Sequence, residues 1–94
     1  MSMSVYVVVE ATVRNQEARD RYAPLAAATI RQRGGEVLVF GQWEMLFGEA
    51  AYQNGLLVRF PDKETALGWY NSPDYQALVD IRGVALDCRF RLLG

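Results

Sequence analysis

The sequence predicts an α+β fold in which strands and helical segments follow one another in the order β-α-β-β-α-β. Three observations support this prediction. Short runs rich in Val, Leu and Phe alternate with segments in which apolar residues return every three or four positions. Gly, Pro and Asn fall between these runs, where turns are expected. The length of 94 residues is typical of a single domain, residues 1–94.

The first third of the chain predicts a strand followed by a helix. Residues 4–10 (SVYVVVE) predict strand β1, because a run of β-branched residues suits a strand buried on both faces. The period then changes and predicts helix α1, which Asn15 caps and the glycine pair at 34–35 ends. Pro24 removes a backbone hydrogen bond inside this pattern, so we expect a kinked or split helix near Tyr22.

The middle of the chain predicts a hairpin. Residues 36–47 predict one long strand, β2, that is bent or bulged at Gly41. Residues 48–53 are expected to form a loop, and Asn54-Gly55 is a turn signal. Residues 56–60 (LLVRF) predict strand β3, which pairs with β2.

The last third predicts a helical segment and an edge strand. Asp62 is the expected cap of helix α2, and Ser72-Pro73 marks a second helix start within the same segment. Residues 85–92 (ALDCRFRL) alternate with period two and predict strand β4, half-buried or at a sheet edge. One face of β4 carries its apolar residues, namely Leu86, Cys88, Phe90 and Leu92.

This order of elements is the ferredoxin-like βαββαβ arrangement, with an antiparallel sheet. Its helices cover one face of the sheet, whereas β1 and β3 carry apolar side chains on both faces. The second face therefore needs a cover, and a second copy of the same sheet is the simplest one. We expect a homodimer.

Composition excludes several classes of function. The chain has no histidine and one cysteine, Cys88, which excludes an internal disulfide, a Cys/His zinc site, haem on a histidine and Ser-His or Cys-His catalysis. Ten basic and eleven acidic residues leave no polybasic stretch for nucleic acid. Residues 1–9 do not form a signal peptide, and no run is long enough to span a membrane. We expect a soluble cytoplasmic protein without metal or cofactor.

Two sets of residues form a pattern that extends over nearly the whole chain. The more specific set lies downstream and comprises Phe60-Pro61-Asp62, Ala66, Trp69-Tyr70 and Ser72-Pro73-x-Tyr75-Gln76. The weaker set lies upstream at Glu17, Tyr22, Pro24, Gly34-Gly35, Gly41, Glu44 and Gly48. With this pattern the chain resembles a bacterial family, domain of unknown function 1330. The resemblance implies the dimeric α+β barrel, in which two ferredoxin-like sheets face each other around a shared cavity. It implies no particular reaction.

The chain departs from the pattern of that family at three places. Asn15-Gln16 stands where an aspartate-proline pair is expected, and Phe47 stands where a glutamate is expected beside Gly48. Arg59 stands in β3, where an acidic residue is frequent. Any chemistry that depended on an acidic pair would therefore not carry over to this chain.

Six side chains are candidates for a small-molecule pocket: Tyr22, Trp43, Glu44, Arg59, Tyr70 and Tyr75. Tyrosine hydroxyls can donate hydrogen bonds inside an apolar cavity, and tryptophan can stack on a planar ligand. A carboxylate opposed by a guanidinium, from Arg59 or from Arg82, can orient a carbonyl group. Core packing and ordinary ion pairs are the alternatives for the same residues. We expect the pocket among α1, the bent β2 and α2.

Two functions stay open. The first is a cofactor-free enzyme, monooxygenase-like or isomerase-like, acting on a small apolar or aromatic molecule; it rests on fold analogy alone. The second is a non-catalytic dimeric module that binds a small ligand or is associated with stress. An RNA-binding sheet is disfavoured, because Val7 and Val58 do not supply the exposed aromatic and basic surface that it needs.

Overall fold

Four antiparallel strands form one sheet in the order β2-β3-β1-β4. The structure, a computed structural model, describes residues 3–94; the first two residues of the predicted domain lie outside this range. The elements are β1 (Val5–Val13), α1 (Gln16–Gln32), β2 (Glu36–Gln42), β3 (Asn54–Phe60), α2 (Lys63–Tyr70), α3 (Pro73–Gln76), α4 (Val79–Ala85) and β4 (Leu86–Leu93). The predicted ferredoxin-like α+β fold is confirmed.

The two faces of the sheet differ in burial. Val5, Val7 and Val9 of β1 are buried in the core that the helices cover. Their partners across β3 include Phe60 and Val58, which are also buried. The alternating residues point away from the helices, since side chains change face at each step along a strand. We call this second side the open face; it carries Tyr6, Val8, Glu10, Leu57, Arg59, Arg89 and Arg91.

Each predicted helix cap is present. The Asn15 side chain accepts a hydrogen bond from the backbone N–H of Ala18 at 2.9 Å. The Asp62 carboxylate accepts from the N–H of Thr65 at 2.7 Å. The Ser72 hydroxyl accepts from the N–H of Tyr75 at 3.2 Å. These caps are local in sequence, which is why the helix starts could be predicted.

Helix α1 is continuous, so the prediction that it splits near Tyr22 is wrong. Pro24 is exposed, and the residues before and after it pack on the sheet. Tyr22 and Ala26 are buried on either side of the proline and keep the helix in one piece. Pro24 lacks the N–H that would bond to the carbonyl of Asp20, and both residues are exposed.

The predicted hairpin is shorter on the β2 side. β2 ends at Gln42 instead of continuing to residue 47, and its bulge lies between Val37 and Val39 instead of at Gly41. The loop therefore spans residues 43–53, and Asn54-Gly55 begins β3 instead of forming a turn. The β2–β3 pairing ends at Gln42 opposite Asn54, and residues 46 and 47, expected in the strand, are 97% and 95% exposed in the loop.

The segment after Ser72 forms two short helices, α3 and α4, instead of one. β4 lies at the sheet edge next to β1, as its alternating pattern predicts. No helix in residues 3–94 combines the length and the hydropathy needed to cross a bilayer.

Trp69 is the residue that fixes α2 on the core. Its side chain is 1% exposed, and its ring lies 5.4 Å from that of Phe60 and 4.6 Å from that of Tyr75, measured between centroids. Its indole N–H donates to the Thr29 hydroxyl of α1 at 3.0 Å. We expect Trp69→Ala to lower the free energy of unfolding by about 3–5 kcal/mol, measured by urea denaturation.

A matched control for this prediction is Leu67→Ala, on the same helix, where the side chain is 45% exposed. This control should change stability by less than about 1 kcal/mol. Equal losses in the two variants would contradict the role of Trp69.

Candidate functional site

A cavity of about 240 Å³ lies between α1 and the face of the sheet that the helices cover. Helix α1 contributes Ala23, Ala26 and Ala27 to its wall, and the sheet contributes apolar residues such as Val9 and Leu56. Alanine side chains are short, so α1 does not fill the space between its backbone and the strands. The cavity is therefore a direct result of the alanine-rich stretch of α1.

The cavity opens toward the edge strand β2. Val37 and Phe40 line it and are also exposed, Phe40 to 57%. The guanidinium of Arg19, on α1, lies over the Phe40 ring at 5.4 Å from the centroid and 3.5 Å from an Asp20 carboxylate oxygen. Arg19 and the amide of Asn54 are polar groups of the lining. Arg19 and Phe40 thus form the mouth of the cavity.

A hydrogen-bonded chain of tyrosines leads away from the cavity wall. Tyr22 lines the cavity, and its hydroxyl oxygen lies 2.6 Å from that of Tyr75. Arg82 Nη1 donates to the hydroxyl oxygens of Tyr75 at 3.2 Å and of Tyr70 at 3.1 Å. We call these four residues the tyrosine network. It joins α1 to all three helices that follow β3.

Local structure fixes the members of this network. The Ser72 hydroxyl donates to the Trp69 carbonyl at 2.7 Å and caps α3, which sets the position of Tyr75. The Arg82 guanidinium lies 4.9 Å from the centroid of the Phe90 ring and 5.8 Å from that of the Tyr75 ring. Aromatic faces stabilise a cation held in this way. The guanidinium therefore has one defined position next to the two hydroxyls.

Burial controls the ionisation of the two central hydroxyls. Burial raises the pKa of Tyr22 far above its ordinary value, and the adjacent Tyr75 raises it further. Burial also raises the pKa of Tyr75, although its hydrogen-bond contacts with Tyr22 and with Arg82 oppose this rise. Both hydroxyls therefore keep their protons near neutral pH, where they act as hydrogen-bond donors and not as bases.

The six residues predicted for the pocket fall into two groups. Tyr22, Tyr70 and Tyr75 come together through Arg82, and Tyr22 lines the cavity. The other three, Trp43, Glu44 and Arg59, are not in the lining.

The second group lies in the loop and on the open face. Trp43 packs against Gly55, where a β-carbon would overlap its ring. Glu44 is exposed in the loop that follows β2. Arg59 forms an ion pair with Glu36, so its guanidinium is occupied away from the cavity.

Sequence reasoning missed two parts of the site. Arg19 and the alanines of α1 were not among the candidates, although both line the cavity. The signal for the alanines was present, since residues 26–28 are AAA in a helix expected to pack on a sheet. Arg19 had no such signal, because its neighbour across the mouth, Phe40, is distant in sequence.

Comparison with known proteins gives a family match and several similar folds. A family model described as Domain of unknown function (DUF1330) matches residues 4–94. A search of the curated proteins found no match.

Three solved structures illustrate the similar folds. RPA0582 of Rhodopseudomonas palustris, a protein of unknown function, has 20% sequence identity and a TM-score of 0.80, covering 99% of this chain and 82% of its own. SnoaB of Streptomyces nogalater, a cofactor-independent oxygenase, has 11% identity and a TM-score of 0.72, covering 97% and 91%. A dimeric ferredoxin-like protein of unknown function from Thermobifida fusca has 11% identity and a TM-score of 0.66, covering 100% and 92%. At these identities the similarity concerns the fold.

The raised pKa values of Tyr22 and Tyr75 predict a loss of stability in alkali. Above about pH 10 the tyrosines of the unfolded chain ionise, whereas the buried ones keep their protons. The folded state then binds more protons, so the free energy of unfolding falls as pH rises. Tyr22 should contribute a slope of up to about 1.4 kcal/mol per pH unit, and Tyr75, whose hydrogen bonds oppose the rise of its pKa, should contribute less.

Urea denaturation between pH 9 and pH 11.5 measures this slope. Tyr22→Phe should reduce the slope by the share of one tyrosine, and the double variant with Tyr75→Phe should reduce it further. A Tyr22→Phe protein with the slope of the parent would show that the Tyr22 hydroxyl ionises as freely in the folded state as in the unfolded one.

Proposed function

The chain belongs to the family described as Domain of unknown function (DUF1330), and from its cavity we propose that it binds one small, largely apolar molecule. The observation that carries this proposal is the alanine-lined space between α1 and the sheet. In a chain of 94 residues, larger side chains at Ala23 or Ala27 would add core packing and stability. Binding of a small molecule therefore explains the unfilled cavity better than a requirement of stability does.

The size of the cavity indicates the size of the occupant. An apolar cavity of about 150 Å³ is large enough to hold benzene. The volume here, about 240 Å³, suits a molecule of one or two rings. Trp69 and Phe90 in the wall offer aromatic surfaces for such a ring, and the guanidinium of Arg19 stands at the entrance.

A second candidate function is cofactor-free turnover of the same molecule, by a monooxygenase-like or isomerase-like reaction. Two observations favour it. SnoaB, which shares the fold, is described as a cofactor-independent oxygenase. In addition, Tyr22, whose raised pKa keeps its hydroxyl protonated, is one of the lining residues of a mainly apolar cavity. Binding is the proposal that the geometry supports best, because it needs no group beyond those in the lining.

The functional unit is a homodimer in which a second copy covers the open face. Outside the cavity lining, exposed apolar side chains are concentrated in β2 and the loop after it: Leu38, Val39, Trp43, Met45, Leu46 and Phe47. An apolar surface of this extent is typical of an interface. The related fold from Thermobifida fusca is described as dimeric.

The charged residues of the open face are compatible with a second copy of the chain packed against it. Glu10 accepts hydrogen bonds from Arg89 at 3.0 Å and from Arg91 at 2.5 Å, and Glu36 pairs with Arg59. Charges that are already paired within one chain lose less free energy when an interface removes them from water. Two facing sheets of this kind would form the dimeric α+β barrel.

The dimer can be tested by sedimentation equilibrium at micromolar concentration. We expect the parent to be a dimer with an interface of about 1,500–2,500 Å². Val8→Glu places a charge on the open face and should shift the protein to a monomer. Leu25→Glu, on the exposed side of α1, should leave the dimer intact. A monomeric parent, or a dimer that only Leu25→Glu dissociates, would contradict this interface.

The binding site can be tested by filling the cavity. Ala23→Leu, in the lining, should weaken the binding of indane, a two-ring hydrocarbon, at least tenfold, as measured by ligand-observed NMR. The control is Ala28→Leu, half-buried on the same helix but outside the lining, which should leave the affinity unchanged. Equal affinity for the parent and Ala23→Leu would place the indane site elsewhere.

A further inference from the structure

The donors and acceptors of the tyrosine network fix the direction of its hydrogen bonds. A guanidinium can only donate, so the bonds from Arg82 Nη1 place hydrogen-bond acceptors at the Tyr75 and Tyr70 oxygens. The contact between the Tyr22 and Tyr75 hydroxyls, at 2.6 Å, could run either way by distance alone. The direction depends on which acceptor is available to the hydroxyl proton of Tyr22 and which to that of Tyr75.

The hydroxyl proton of Tyr75 has one acceptor within reach. Tyr75 is 0% exposed, and in residues 3–94 the acceptor within hydrogen-bond distance of its hydroxyl is the Tyr22 oxygen. If Tyr22 donated instead, the Tyr75 proton would be buried without an acceptor, which is costly. Tyr75 therefore donates to Tyr22. The proton of Tyr22 is then left without an acceptor in the network, on a residue that lines the cavity.

On this basis, and resting on the proposed binding function, we propose that the Tyr22 hydroxyl donates a hydrogen bond to the occupant. The ligand class is then a one- or two-ring molecule that carries a carbonyl oxygen. Tyr22 is the residue that distinguishes such a ketone from the hydrocarbon of the same shape. Arg82 acts through Tyr75 as a positioning residue, because its donated hydrogen bond directs the Tyr75 proton toward Tyr22.

The location of the hydroxyl is consistent with this ligand class. Trp69 and Phe90 line the cavity and also pack on Tyr75, so the network lies behind the aromatic end of the cavity. A ring placed against these side chains would bring its carbonyl oxygen to Tyr22. Arg19 and Asn54, by contrast, lie toward the mouth at β2. The raised pKa of Tyr22 keeps its proton available at neutral pH.

The test compares 1-indanone with indane, which differ by the carbonyl oxygen. Dissociation constants for both probes are measured with the parent, Tyr22→Phe and Tyr52→Phe. The two probes differ in hydration by the same amount whichever protein binds them, so this difference cancels when the ratio of the two constants is compared between proteins. We expect Tyr22→Phe to reduce the preference for 1-indanone about tenfold, because a buried carbonyl would lose its donor. Tyr52→Phe removes a hydroxyl in the loop after β2, outside both the cavity lining and the tyrosine network, and should keep the parent ratio.

A second measurement does not depend on any variant. The carbonyl stretching band of ¹³C-labelled 1-indanone bound to the parent should lie below its frequency in cyclohexane, where no donor is present. An unshifted band, or binding of both probes with the same ratio in the parent and Tyr22→Phe, overturns the role of Tyr22 and leaves the binding function standing. Failure of the parent to bind either probe overturns the proposed function itself.

Discussion

The packing of Trp69 is the contact on which the rest of this structure depends. Its ring contacts Phe60 of the sheet and Tyr75 of α3, and its N–H reaches Thr29 of α1. One side chain thus connects three helices and the sheet around a single buried point. The cavity and the tyrosine network both have Trp69 as a neighbour, so its position sets the distance between α1 and the helices that follow β3.

Large side chains are unevenly distributed between α1 and the helical segment that follows β3. The segment after β3 supplies Trp69, Tyr70 and Tyr75, which fill their part of the core. Helix α1 supplies alanines toward β2, and the space opposite them stays open. A small domain that leaves such a space gives up packing that would have stabilised it. The unfilled part of the core is therefore the part between α1 and the sheet.

The tyrosine network shows how a partly buried cation can orient neutral groups. Arg82 is held over aromatic rings and donates to the hydroxyl oxygens of Tyr75 and Tyr70. In the proposal above, the Tyr75 proton then goes to Tyr22, which lines the cavity. A single tyrosine in the same wall would have no fixed direction, because its proton could rotate. The proposed donor would therefore have a fixed direction.

The sequence by itself determined the features that depend on neighbours along the chain. Strands β1 to β3 followed from short apolar runs and β4 from period two. The helix starts followed from Asn15, Asp62 and Ser72, and the family from the motif around Trp69 and Tyr75. The continuity of α1 depended instead on which side of the helix Pro24 occupies, and the end of β2 depended on which residues β3 could pair with.

Only the tertiary structure decided which candidate residues meet. Tyr22 and Tyr75 are 53 positions apart, and their contact requires α1 and α3 to pack on the same face of the sheet. Arg59 differs from Val58 and Phe60 only by one step along β3, yet this step places it on the opposite face. Sequence patterns rank residues by chemistry, whereas a site requires residues from distant elements to converge, and packing alone determines that convergence.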